Sequence, residues 1–269
     1  IVYRPCVVRP RDPNDIIGPE GYGEEDWIAA KGQLEYMIRF ENAADASAPA
    51  QRVVVTQQLD DDLDWRTFRI DDFGFGDQII DLDGKSAFYQ KRLDYTADPT
   101  RGYFLDVTAS VDVTTGIVTW TMTTIDPETG DLPQEASIGF LPVNDTVYDA
   151  NHDVVVQGTG RGEGYVTYTV RAKSASPTGT VVDAQARIIF DTEEPIDTPA
   201  IFNTLDAGVP TSQVISFANA TTADGEFLVQ WGGADDEAGS GLRDFSVYVS
   251  IDGSDFEIWL PDTTLTEAI

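Results

Sequence analysis

One cysteine, one histidine and two methionines are all that this chain of 269 residues holds of those three types. With Cys6 alone no internal disulfide can form, so the fold rests on its hydrophobic cores. Cys6 is either a small buried hydrophobe or a thiol that pairs with another chain. A serine triad, a zinc site of several His and Cys ligands, and a thiol with a partner base all need more than His152 and Cys6 supply. His152 also sits in DANHD, which is no catalytic motif. Acid pairs for glycoside hydrolysis stay available, but the chain is not expected to be an enzyme. The Gly-rich GTGRGEG from Gly158 is followed by no Lys-Ser/Thr and is not a phosphate loop.

Basic residues are scarce, 17 against 47 acidic, for a formal charge of −30. Such a balance repels nucleic acid and anionic membrane surfaces. Cations are the expected counterparts: the carboxylates either ligate calcium or simply solvate an extracellular surface. A run of about 18 apolar residues, as a membrane span needs, is missing, so direct membrane insertion is not expected. The opening Ile1-Val2-Tyr3-Arg4 has no initiator methionine and no charged-then-apolar leader, as expected of a piece excised from a longer secreted polypeptide.

What is present is β patterning. Leu34, Tyr36, Ile38 and Phe40 share one strand face, and Val53 and Val55 alternate in the same way. Phe68, Ile70, Phe73 and Phe75 extend the core, with Gly74 and Gly76 marking a bend or bulge. Tyr103 to Val111 and Gly116 to Ile125 form a hairpin around DVTTG, rich in the β-branched and aromatic residues that pack on a pleated sheet. The stretch from Gly162 to Gly208 organises the rest. In it Tyr165, Thr167 and Thr169 alternate with Val166, Tyr168 and Val170, and Ala184, Ala186 and Ile188 with Gln185, Arg187 and Ile189. Ser176-Pro177-Thr178-Gly179 between them supplies a turn, so the two strands are expected to pair as an antiparallel hairpin closing a β-sandwich.

The run YVTYTVRAK, PTGT, IIFDTEEPIDTP and FNTLDAGVPTS, with the opening LEYMIRFENAADASAPAQRVVVTQQL from Leu34 to Leu59, resembles the conserved-repeat (DUF11-like) β-sandwich modules of large secreted bacterial surface proteins. The resemblance covers about Asp12 to Gly208. It implies an extracellular, cell-surface building block of adhesins and brings no catalytic residues. The expected fold class is all-β: an antiparallel Ig-like sandwich over 11–208, preceded by a linking or donor strand at 1–10. After Pro210 the strands Glu226 to Trp231, Leu242 to Ile251 and Phe256 to Leu260, with an Asp252-Gly253 turn, resemble the first half of a fibronectin type III or Ig-like domain. Trp231 and Tyr248 are its expected core aromatics, and 209–269 is too short for a whole domain of that kind.

Two acidic stretches are candidate calcium ligands. Asp60, Asp62 and Asp64 lie in a segment with four carboxylates in five residues, where like charges raise one another's pKa unless a cation or solvent neutralises them. Asp77, Asp81 and Asp83 precede Gly84 in a DxDG fragment like the start of many calcium loops, which also makes an ordinary hairpin. The irregular 132–162 region offers Asn144, Asp145, Asp149, Asn151 and Asp153 as a possible binding loop or a bland tether. Ile1 to Arg9, interrupted by Pro5, suits an edge strand. Val2, Tyr3, Val7 and Val8 would be its paired residues if it adds to the short C-terminal module of a neighbouring copy and builds a filament. A structural and adhesive segment is therefore expected, with neighbouring copies or modules as partners. The alternative is a carbohydrate-binding or accessory module of a secreted multidomain enzyme, in which Trp65, Trp259 or Tyr148 would stack on a glycan.

Overall fold

A computed structural model describes residues 14–82, 86–149, 154–215 and 226–269. Val2, Tyr3, Val7 and Val8 of the expected linking strand lie outside the described residues, as do Cys6, Asp83, Asn151, His152 and Asp153. The described chain is all-β. In order it forms β1 (Ile16–Ile17), β2 (Trp27–Ala29), β3 (Leu34–Glu41), β4 (Arg52–Gln58), β5 (Leu63–Phe75), β6 (Gln78–Ile80) and β7 (Phe88–Asp94). There follow β8 (Phe104–Val111), β9 (Ile117–Ile125), β10 (Val147–Tyr148), β11 (Val154–Val156), β12 (Glu163–Ala172), β13 (Val181–Ala184) and β14 (Ala186–Phe190). The last are β15 (Ile196–Asp197), β16 (Ile201–Asp206), β17 (Thr211–Ile215), β18 (Val229–Ala234), β19 (Phe245–Val249), β20 (Glu257–Thr263) and β21 (Glu267–Ala268).

Two sheets make a sandwich. One has five strands in the order β1-β3-β12-β5-β6, the other six in the order β15-β14-β4-β9-β8-β7. Alternation in the sequence becomes burial: Leu34, Tyr36, Ile38 and Phe40 of β3 and Val166, Tyr168 and Val170 of β12 all point inward, as a half-buried strand requires. Across the interior, Phe68 and Tyr168 of the first sheet lie 6.1 and 5.8 Å from Trp120 of the second. The Tyr168 hydroxyl donates to Gln57 Oε1 at 2.8 Å, which satisfies a polar group that burial would otherwise leave costly. Burial holds the Tyr168 phenol well above its ordinary pKa, with Tyr36, stacked on it at 5.0 Å, adding to the rise.

The hairpin expected of the 162–208 stretch is not formed. β12 runs between β3 and β5 in the five-stranded sheet, while β13 pairs with β16 and β14 with β4. Alternation reports that a strand has one buried face and not which strand it pairs with. Here the two inward faces oppose each other across the core, so the Ser176–Gly179 turn crosses between sheets. The 181–190 segment also changes sheets itself at Gln185, whose Nε2 donates to Thr198 O at 2.8 Å while Thr198 Oγ1 accepts from Ala186 N at 3.0 Å. By contrast the β8–β9 hairpin is in register from Phe104↔Ile125 to Val111↔Val118.

A third sheet, β13-β16-β2, closes the sandwich. In it β16 and β2 run parallel, with Thr204 beside Trp27 and Asp206 beside Ala29; Ala30 N extends the pairing by donating to Asp206 O at 2.7 Å. The continuous core runs from Ile16 to Leu205.

Beyond it lie β17-β18-β21 and the β19–β20 hairpin. Trp231 is buried there against Trp259, ring centroids 6.2 Å apart. Tyr248, expected in this core, is instead 56% exposed. It stands opposite Ile258 in the β19–β20 ladder, on the face turned away from Trp231.

Candidate cation site at the junction

β16 ends at Asp206, and the loop after β18 carries Asp235 and Asp236. The three carboxylates offer oxygens within 4.8 Å of one another, the one such acidic group among the described residues. Each side chain is placed by its surroundings. Asp206 Oδ2 accepts from Ser240 N at 3.0 Å and from Ser240 Oγ at 2.5 Å, and Asp206 Oδ1 accepts from Gly208 N at 3.1 Å. Asp235 Oδ2 accepts from Gly241 N at 2.8 Å, and Asp236 Oδ2 from Thr178 Oγ1 at 2.5 Å. Thr178 belongs to the sheet-crossing turn, so the second module is pinned to the first through this group. A Cβ at Gly208 would overlap Asp236 Oδ1 and displace that carboxylate from the group.

The electrostatics are unbalanced. Burial works to raise the Asp206 carboxyl, but the hydrogen bonds from Ser240 and Gly208 outweigh it and hold the group below the usual carboxylate range. Asp235 Oδ1 is out of solvent contact and has no hydrogen-bond partner. Such an oxygen beside two further carboxylates suits a hard cation bound by oxygen ligands, with the Ser240 and Thr178 hydroxyls at its margin.

Of the carboxylates expected to bind metal, Asp60, Asp64 and Asp77 have partners within the chain. Asp60 Oδ1 caps the turn by accepting from Asp62 N at 2.7 Å, and its Oδ2 accepts from Asp183 N at 3.1 Å. Asp64 makes a two-pronged pair with Arg66 at 2.8 and 2.9 Å, which lowers its pKa. Asp77 lies 3.2 Å from Arg101 and accepts from Gln78 Nε2. The structure therefore does not bring Asp60, Asp62, Asp64, Asp77 and Asp81 into a convergent group. In the 132–162 region, Asn144 is buried and donates to Glu41 Oε2 at 2.7 Å and Glu163 Oε1 at 3.2 Å. Asp145 closes the Thr159–Gly160 turn. Both are structural.

The aromatics considered for sugar stacking are likewise engaged. Trp65 covers Gly116 and donates from Nε1 to Asp60 O at 2.9 Å. Tyr148 donates to Glu163 Oε1 at 3.1 Å, its pKa pushed up to about 12 by burial and then by Glu163. Trp259 packs on Trp231.

Ligand binding at the junction has a stability signature. At tenfold excess over its dissociation constant a cation adds about 1.4 kcal/mol, a few degrees in Tm for a chain of this size. Scanning calorimetry in calcium and in chelator is expected to show that difference for the native chain and none for Asp235→Asn. Equal Tm values for the native chain would remove calcium from this site.

These features define an antiparallel β-sandwich with a smaller β module docked on one end through an acidic junction. Residues 12–74 and 148–204 match the profile of a family described as "Domain of unknown function (DUF7619)". The matched stretches carry β1–β4, nearly all of β5 and most of β10–β16, whereas β6, β7, β8 and β9 fall in the segment between them. No curated protein sequence matches the chain. Among solved structures it is similar to the C-terminal fragment of the major pilin GBS80 of Streptococcus agalactiae, at 9% identity and a TM-score of 0.40, over 91% of this chain and 90% of that one. It is similar to two domains of the major pilin SpaD from Corynebacterium diphtheriae, at 14% identity and a TM-score of 0.35, over 92% and 70%. The collagen-binding domain from a Staphylococcus aureus adhesin aligns at 13% identity and a TM-score of 0.33, over 71% and 95%.

Proposed function

We propose that this chain is a structural and adhesive segment of an extracellular bacterial surface protein, a link joined end to end with neighbouring copies or modules. In this reading 11–208 forms one load-bearing unit and 209–269 the start of the next, with the Asp206, Asp235 and Asp236 group as a cation-stiffened joint. The resemblance of 12–208 to surface repeat modules and the strong acidity of the chain support it.

The observation that carries it is the β2–β16 pairing. β2 lies near the start of the sandwich and β16 at its end, and the two run parallel. Tension applied through the N-terminal side and the C-terminal side therefore pulls the pair along its own axis. All its hydrogen bonds are loaded together, and none can be peeled off singly. A fold that joins its two ends in this way is suited to bearing load along a polymer.

Single-molecule force spectroscopy tests this. The 14–206 unit is expected to yield in one step at high force. Ala30→Pro removes the N–H that reaches Asp206 O; losing about 2 kcal/mol of the barrier speeds rupture about 30-fold at a given load. Gradual yielding at low force, or no effect of Ala30→Pro, would remove the mechanical role.

A further inference from the structure

We infer that the β19–β20 hairpin is a docking surface for residues 1–11 of a neighbouring copy of this chain. The inference rests on the end-to-end reading above and names the surfaces that would make the join.

Between Phe245 and Thr263 the hairpin carries an uncovered apolar patch. Tyr248, Ile251, Phe256 and Ile258 are exposed, and Tyr248 and Ile258 are register partners, so their side chains stand together on one face; Val249, also exposed, points to the other. Scattered exposed apolar residues are ordinary, but a contiguous patch of large ones marks an interaction surface. Among the described residues both strands of this pair also have a free edge, since β19 and β20 pair only with each other. Such edges accept an added strand.

Charge selects the occupant. In sequence the hairpin also carries Asp252, Asp255, Glu257 and Asp262, and 245–263 holds no basic residue. The nearest cation in sequence, Arg243, is bound to Asp244 at 2.6 Å. Two such hairpins facing each other would set like charge against like, which disfavours self-pairing of the patch. The chain contains one segment of opposite character. Residues 1–11, IVYRPCVVRPR, hold three arginines and no acid in a molecule of net charge −30. In it Val2 and Tyr3 precede Arg4, and Val7 and Val8 lie between Arg4 and Arg9. Apolar residues beside cations complement an apolar patch on an acidic hairpin.

Cys6, the single cysteine, lets the contact be mapped on the full chain. Benzophenone is attached to Cys6, equal amounts of 14N- and 15N-labelled chain are mixed and irradiated, and crosslinked peptides are identified by mass spectrometry. The expected products are mixed-isotope crosslinks to 245–263. Their yield should fall at least tenfold in Tyr248→Glu/Ile258→Glu, in Arg4→Glu/Arg9→Glu, and on raising the salt to about 1 M, where screening reaches about 3 Å. Tyr248 and Ile258 lie outside the continuous sandwich core. Crosslinks confined to one isotope would show docking within a chain and overturn the inference. So would crosslinks elsewhere, yields indifferent to the substitutions, or no crosslinks. None of these outcomes alters the force response of the 14–206 unit, so failure here and failure of the load-bearing reading can be told apart.

Discussion

Trp120→Ala is expected to lower the free energy of unfolding by about 4 kcal/mol, within the range for deleting a large buried aromatic side chain. Trp120 sits on β9 at the centre of the six-stranded sheet and is 1% exposed. Its ring meets Phe68 and Tyr168 of the opposite sheet, so its removal leaves a cavity bounded by both layers that rigid strands cannot collapse to fill. Trp120→Phe should cost only about 1 kcal/mol, because the indole Nε1 has no hydrogen-bond partner and deleting it relieves an unsatisfied donor. Urea unfolding followed by far-UV circular dichroism measures both. A loss below about 1 kcal/mol for the alanine variant would mean that the sheets do not meet at this ring.

Gly164→Val should be nearly as severe, at about 3 kcal/mol. Gly164 lies on β12 between Phe40 of β3 and Phe75 of β5, and any Cβ there overlaps the Phe40 ring. Phe40 is fully buried and packs edge-on against Phe190 of the other sheet, so it has no space to retreat into. The clash identifies its own remedy: Phe40→Ala, harmful alone, is expected to cost much less in the Gly164→Val background. The two changes should couple by more than about 1 kcal/mol in a double-mutant cycle. Strict additivity in urea titrations of the four proteins would show that the two residues are not in contact.

Much of the sandwich was legible because its strands are half-buried. The inward residues of β3, β4, β12 and β14 follow from period-2 alternation alone, those of β5 from alternation interrupted by an irregularity, and the β8–β9 hairpin from two such strands around a short turn. Pairing across the core was not legible. β12 and β14 carry similar patterns and are joined by a turn sequence, yet they lie in opposite sheets, because alternation does not encode which way the buried face points in the finished fold. Tyr248 was misplaced for a related reason. β19 alternates, but its partner β20 brings Ile258 opposite Tyr248 on the outside while Trp259 takes the inner side with Trp231.

The junction shows the same limit in its chemistry. The acidic, glycine-rich GGADDEAGSG is visible as a loop, but Asp206 is 29 residues from Asp235 in sequence and meets it only because β16 ends beside the turn after β18. The dense run at Asp60–Asp64 drew attention by composition. Its side chains are dispersed because neighbours on a turn and an extended strand point in different directions: one caps a turn, another pairs with Arg66.

The β2–β16 pairing also sets an order in time. Trp27–Ala29 leaves the ribosome early, but its partner Ile201–Asp206 is made more than 170 residues later. At synthesis rates of roughly 5–20 residues per second, the early segment waits about 10 to 35 s for that partner strand. β3 waits about three-quarters as long for β12. The sandwich is not complete until β16 is delivered, so β2 stays unlocked until its distant partner arrives.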